Sequence, residues 1–94
     1  MAIFMHVSLP GVTTEQYDTL NAKLQETPEV FDGCIAHVCV PGSDGLDIYD
    51  LWESERHAQA FSEKVAPVAE SVGLTGPGGD SASYSAHNYW IPGA

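Results

Sequence analysis

A chain of 94 residues, 44% of them apolar, is sized for one hydrophobic core, so residues 1–94 read as a single domain. Thirteen acidic residues against three basic ones, Lys23, Arg56 and Lys64, give a formal charge of −10. That balance excludes nucleic acid, whose phosphates need clustered cations, and disfavours an anionic membrane surface.

The acidic residues are mixed with apolar ones, which marks the coat of a folded protein and not a disordered tail. No apolar run reaches membrane-spanning length, and the N-terminal segment has neither a basic leader nor a small-residue cleavage site. Cys34 and Cys39 lie in one strand-like segment at an odd spacing, which sends them to opposite faces and keeps them from pairing. Free thiols without an export signal imply the cytoplasm.

Residues 2–9 alternate, with Ile3, Met5, Val7 and Leu9 on one side and Phe4, His6 and Ser8 on the other, and predict a strand ended by Pro10-Gly11. Thr13 and Gln16 form a capping box, Val12 and Tyr17 can staple the helix start, and Tyr17, Leu20 and Leu24 mark one helical face. Asp32-Gly33 opens a second strand, Cys34 to Val40. Pro41-Gly-Ser-Asp-Gly45 is a turn that folds Leu46 to Trp52 back as a hairpin.

Ser54 is placed as an N-cap before Ala58, Phe61, Val65, Val68 and Val72, which keep helical spacing. Pro67 cannot donate to the carbonyl of Glu63, so a kink or restart is expected near Ala66, with the end at Gly73. The glycine-rich stretch 73–80 reads as a mobile linker or lid, lacking the following helix of a phosphate loop. A last strand, about Ala82 to Trp90, completes the order βαββαβ.

That order is the split βαβ, ferredoxin-like arrangement: a four-stranded antiparallel sheet in an α+β fold, with both helices on one face. The other face has no cover from this chain. Taking the helix side as the drier one assigns it Ile3, Met5, Val7, Leu9, Cys34, Ala36, Val38 and Val40. The bare face then holds Phe4, His6, Ser8, Ile35, His37, Cys39, His87 and Tyr89, with Ile48, Asp50 and Trp52 favoured there over Asp47, Tyr49 and Leu51. So large a mixed apolar surface predicts a second copy over it, a C2 homodimer enclosing a small-ligand cavity between two sheets.

Ile48-Tyr-Asp-Leu-Trp-Glu-Ser54, followed by Ala58 and Phe61, resembles the strand-to-helix signature of antibiotic biosynthesis monooxygenase-like, dimeric α/β-barrel proteins. Leu9-Pro-Gly-Val-Thr13 with Tyr17, and His87-Asn88, are similar to patterns in small actinobacterial members. The resemblance covers nearly the whole chain in order. It implies an aromatic or polyketide-like substrate from secondary metabolism and oxygenation without a cofactor, in which deprotonation makes the substrate electron-rich enough to meet dioxygen. Cyclases and isomerases share the fold, and fold does not fix function.

His6, His37 and His87 come from three strands and by parity share the bare face. A neutral imidazole in an apolar cavity can take a proton from a phenol, enol or carbon acid, and Asp50 can orient it or act as base. The plain alternative is a half-buried strand histidine bonded to a backbone carbonyl or a partner residue. Three imidazoles with Asp50 also make a possible catalytic metal set, but no tight ligand pair marks one, and no metal is assigned.

Phe4, Trp52, Tyr89 and Asn88 are candidate substrate walls, as is Cys39, a minor candidate nucleophile with no feature that lowers its pKa. Such aromatics are more often interface core. Arg56 and His57 read as surface. The rival to an enzyme is a ligand-binding or structural homodimer, and the positions of the three histidines discriminate the two.

Overall fold

The computed structural model describes residues 1–74 and 80–93. Its elements are β1 (Ile3–Pro10), α1 (Thr14–Gln25), a 3-10 turn (Pro28–Phe31), β2 (Cys34–Pro41), β3 (Gly45–Trp52), α2 (Glu55–Ser71) and β4 (Ser81–Ser85). The strands form one antiparallel sheet in the order β2-β3-β1-β4. This is the expected ferredoxin-like order, with α1 and α2 on one side.

Local chemistry sets the helix ends. Thr13 Oγ1 accepts from the Gln16 N–H at 3.1 Å while Gln16 Oε1 accepts from the Thr13 N–H at 2.9 Å, closing the capping box. At the far end of α2, Gly73 takes φ +85, its N–H donates to Glu70 and that of Leu74 to Ala69, the paired bonds of a Schellman motif. Between them α2 runs through Pro67 as one helix, without the expected restart. The proline forfeits one backbone bond, and the packing of Val65, Val68, Ala69 and Val72 against the core formed by Leu20, Leu24 and Val30 holds the helix together across it.

Gly33, at φ +83, turns the chain into β2, and a Cβ there would run into the ring of His57. His57 is thus half-buried and not surface as expected. Its Nδ1 lies 2.6 Å from the hydroxyl of the N-cap Ser54. The predicted last strand stops at Ser85, opposite Ile3, with one further backbone bond from the Ala86 N–H to the Ala2 carbonyl at 2.9 Å. Residues 86–93 are not strand, and the body of the predicted glycine-rich linker, residues 75–79, lies outside the described residues.

Register fixes the faces. Ile3 lies opposite Trp52, Met5 opposite Asp50, Val7 opposite Ile48 and Leu9 opposite Leu46, so all eight share the helix side. A β-bulge between Cys34 and Ala36 resets the phase of β2: His37 pairs with Asp50, Cys39 with Ile48 and Cys34 with Trp52. The expected assignment of β3, and of β2 beyond the bulge, is therefore reversed, while Cys34 is on the helix side as expected. His37, Cys39, Ile48, Asp50 and Trp52 face the helices, while Ala36, Val38, Val40, Asp47, Tyr49 and Leu51 face away with Phe4, His6 and Ser8. The two cysteines consequently share a face, and both remain free thiols.

Candidate active site

The cavity lies inside the single chain, between helices and sheet, and not between two sheets as expected. It is a partly open space of about 480 Å³, walled mainly by Val7, Leu9, Leu20, Leu24, Phe31, Ile48, Phe61 and Val65. Its polar groups are few: Gln16, Tyr17 and Asn21 from α1, Ser62 from α2, and His37 and Asp50 from the sheet. No lysine or arginine lines it among the described residues.

Three of those groups form a chain. Asp50 is 6% exposed, the buried charged residue of the described core, and its Oδ1 lies 2.5 Å from His37 Nδ1. A carboxylate only accepts, so in the neutral imidazole Nδ1 carries the hydrogen and Nε2 is left with its lone pair. Tyr17 Oη, 2.5 Å from that Nε2, donates to it. The imidazole lies nearly parallel to the Tyr17 ring, 6.0 Å between centroids, and edge-on to Phe31. Phe31 leans on Phe61, which in turn packs on the fully buried Trp52 at 4.8 Å.

A histidine oriented by a carboxylate, its basic nitrogen bonded to a tyrosine hydroxyl at the wall of an apolar space, has the parts of a general base. Burial, then the nearby Cys39, Asp50 and Asp18, hold the Tyr17 phenol above its ordinary value, so it stays protonated. The thiols are not activated. Burial and Asp50 push Cys34 up to about 11, and burial and Asp18 raise Cys39.

The three histidines do not converge. His6 lies on the open face, where its Nε2 meets Asp47 Oδ1 at 2.9 Å and its ring stacks on Tyr49 at 4.6 Å. His87 is exposed beyond the end of β4. Only His37 reaches the cavity, bonded to two side chains and not to a backbone carbonyl.

Asp50 stands beside it as expected, though both face the helices. Of the other candidate walls, Phe4 is on the open face, Asn88 and Tyr89 are exposed in the terminal segment, and Cys39 shares the helix side without lining the cavity. Trp52 stands behind Phe61 as core.

Sequence reasoning missed Tyr17, Phe31 and Phe61 as site residues. Tyr17 reads from its spacing with Leu20 and Leu24 as helix core, and no periodic signal announces the 3-10 turn that carries Phe31. Among the described residues there is no grouping of three His, Cys, Asp or Glu side chains that would hold a metal. No helix of the described residues is long and apolar enough to cross a membrane.

No protein-family model matches the chain, and no curated protein does. Solved structures do. A Chloroflexus aurantiacus protein described as an antibiotic biosynthesis monooxygenase superposes with a TM-score of 0.65 at 18% identity, over 99% of this chain and 100% of that one. The monooxygenase ActVA-Orf6 of Streptomyces coelicolor, in complex with nanaomycin D, gives 0.58 at 17%, over 97% and 91%. SnoaB, a cofactor-independent oxygenase of Streptomyces nogalater, gives 0.61 at 11%, over 97% and 96%. At these identities the likeness establishes the fold: this chain has the ferredoxin-like fold of antibiotic biosynthesis monooxygenase-like proteins.

Proposed function

We propose that this protein is a small oxygenase of aromatic or polyketide-like metabolites that works without a cofactor, with His37 as proton acceptor and Asp50 holding it in register. The observation that carries the reading is the His37–Asp50 pair turned into an apolar cavity of about 480 Å³, room for a flat ring system. The nanaomycin D complex of one neighbour and the cofactor-independent chemistry of another support the same class.

In such a reaction the base removes a proton from a hydroxyl, and the electron-rich anion reacts with dioxygen. In net terms a ring CH₂ exchanges two hydrogens for one oxygen atom and the second oxygen leaves as water. The substrate supplies all four electrons, so the protein contributes a base and a dry space. Because no lysine or arginine among the described residues lines the cavity, an uncharged substrate suits it.

The open face supports a homodimer. It exposes Val38 at 52%, Val40 at 41%, Phe4 at 39% and Tyr84 at 59%, an apolar surface suited to a second copy. Free Cys34 and Cys39 suit a reducing cytoplasm.

His37→Ala should abolish dioxygen uptake with a hydroxyarene substrate while the protein stays folded, and His87→Ala, in the exposed terminal segment, should leave it intact. Proton abstraction without oxygen uptake would instead identify a cyclase or isomerase using the same residues. A structural reading also has an observation behind it, since both ring nitrogens of His37 are partnered and tie α1 to the sheet. It predicts that His37→Ala lowers the melting temperature and changes no reaction.

A further inference from the structure

The basic nitrogen of His37 is not open to the cavity. Nδ1 is engaged by Asp50, and the lone pair on Nε2 already receives the hydroxyl of Tyr17 at 2.5 Å. A substrate proton can reach that nitrogen by displacing Tyr17 or by passing through its oxygen.

Displacement is the harder route. Tyr17 sits one turn into α1, whose start is fixed by the Thr13–Gln16 box and whose Leu20 and Leu24 are buried core. Its ring is held parallel to the imidazole. The Tyr17 oxygen, in contrast, keeps lone pairs free to accept from a hydroxyl in the cavity that it lines.

Resting on the proposed function, we infer that Tyr17 is the residue that meets the substrate, relaying its hydroxyl proton to His37 and then donating to the oxygen left behind. The substrate O–H bond breaks with its electron pair remaining on the substrate oxygen. That proton bonds to Tyr17 Oη as the proton already on Tyr17 passes to Nε2. The products are a substrate oxyanion, a neutral tyrosine hydrogen-bonded to it, and an imidazolium facing Asp50. No charge or atom is left over.

The buried, acid-flanked position that keeps the tyrosine protonated fits a concerted exchange, because free tyrosinate never forms. It also gives the cavity, which no lysine or arginine lines among the described residues, a donor for the oxyanion.

4-Nitrophenol tests this, because its ionised form absorbs visible light and its neutral form does not, so the ionisation constant of the bound probe can be read directly. The relay predicts that Tyr17→Phe lowers that constant at least about tenfold, the worth of one hydrogen bond to a charged oxygen. His37→Gln should lower it further, with the probe still bound. Replacing Tyr17 with 3-fluorotyrosine keeps the packing and strengthens the donor, so the constant should rise.

An unchanged constant in Tyr17→Phe and in the fluorotyrosine protein would overturn the relay alone, and a rise in Tyr17→Phe would show Tyr17 to be a plug over the base. An unchanged constant in His37→Gln, or no binding of the probe, would overturn the base and the cavity reading together with the relay.

Discussion

Asp50→Asn removes a charge and almost nothing else, so it isolates what the carboxylate does for His37. The swap conserves shape at a position 6% exposed. When the imidazole takes up a proton, its positive charge lies on the order of 4 Å from the carboxylate, and at an effective dielectric near 20 the attraction is about 4 kcal/mol. Since each 1.4 kcal/mol is about tenfold in rate, the loss should be about a thousandfold in base-dependent turnover.

A second effect adds to it. The asparagine amide can turn its NH₂ toward Nδ1, which moves the ring hydrogen to Nε2 and leaves no basic site facing Tyr17; a wrong tautomer alone can cost up to about 10⁴. Stability should change little, because losing a charge-assisted bond worth about 1.5–3 kcal/mol is offset by no longer burying a charge. Dioxygen uptake measures the rate, and ¹⁵N NMR of the histidine ring identifies the protonated nitrogen. A variant within tenfold of wild type, with its tautomer unchanged, would refute the role given to Asp50.

Val38→Asp should dissociate the proposed dimer, since a carboxylate on the open face of a chain already at −10 weakens association by about 3 kcal/mol, or roughly a hundredfold in Kd, measurable by sedimentation equilibrium. Alkali should destabilise the fold through Cys34. Burial first, then Asp50, lets the folded thiol hold its proton from 9.0 up to about 11, so its contribution is full below pH 9 and is lost as pH rises toward 11. Two pKa units correspond to about 2.7 kcal/mol, and partial exposure screens this to about 1 kcal/mol, which Cys34→Ser should remove from urea titrations run across that range.

Much of the fold was legible because its signals are local. Alternation in β1, the capping box before α1, the turn after Pro41 and the glycine after α2 each act within a few residues of sequence. What was not legible depends on partners. The bulge between Cys34 and Ala36 adds one residue to one strand, and that single step carried His37 and Cys39 across the sheet.

The assumption that the helix side is the drier one failed for a related reason: His37 and Asp50 satisfy each other and can be buried as a pair, while Val38 and Val40 are left outward. The extent of β4 depends on its register against β1, which no reading of residues 82–90 contains. Asp50 and His37 thus stand side by side as expected, but on the other face of the sheet.

The sheet carries two His–Asp pairs, one per face, and the contrast between them bears on which is chemical. His6 and Asp47 are each 34% exposed at the side chain, Asp47 also takes the hydroxyl of Ser8 at 3.3 Å, and the imidazole is stacked on Tyr49 in line with Phe4. Such a pair is screened by water in the lone chain, and its place on the open face suits holding two sheets in register. His37 and Asp50 are 25% and 8% exposed and open onto a space that one chain builds by itself. A cavity complete within each protomer also means that assembly and chemistry can be separated by mutation: a variant that breaks the open face should lose the dimer before it loses His37 and its neighbours, whereas a site made between two sheets would lose both at once.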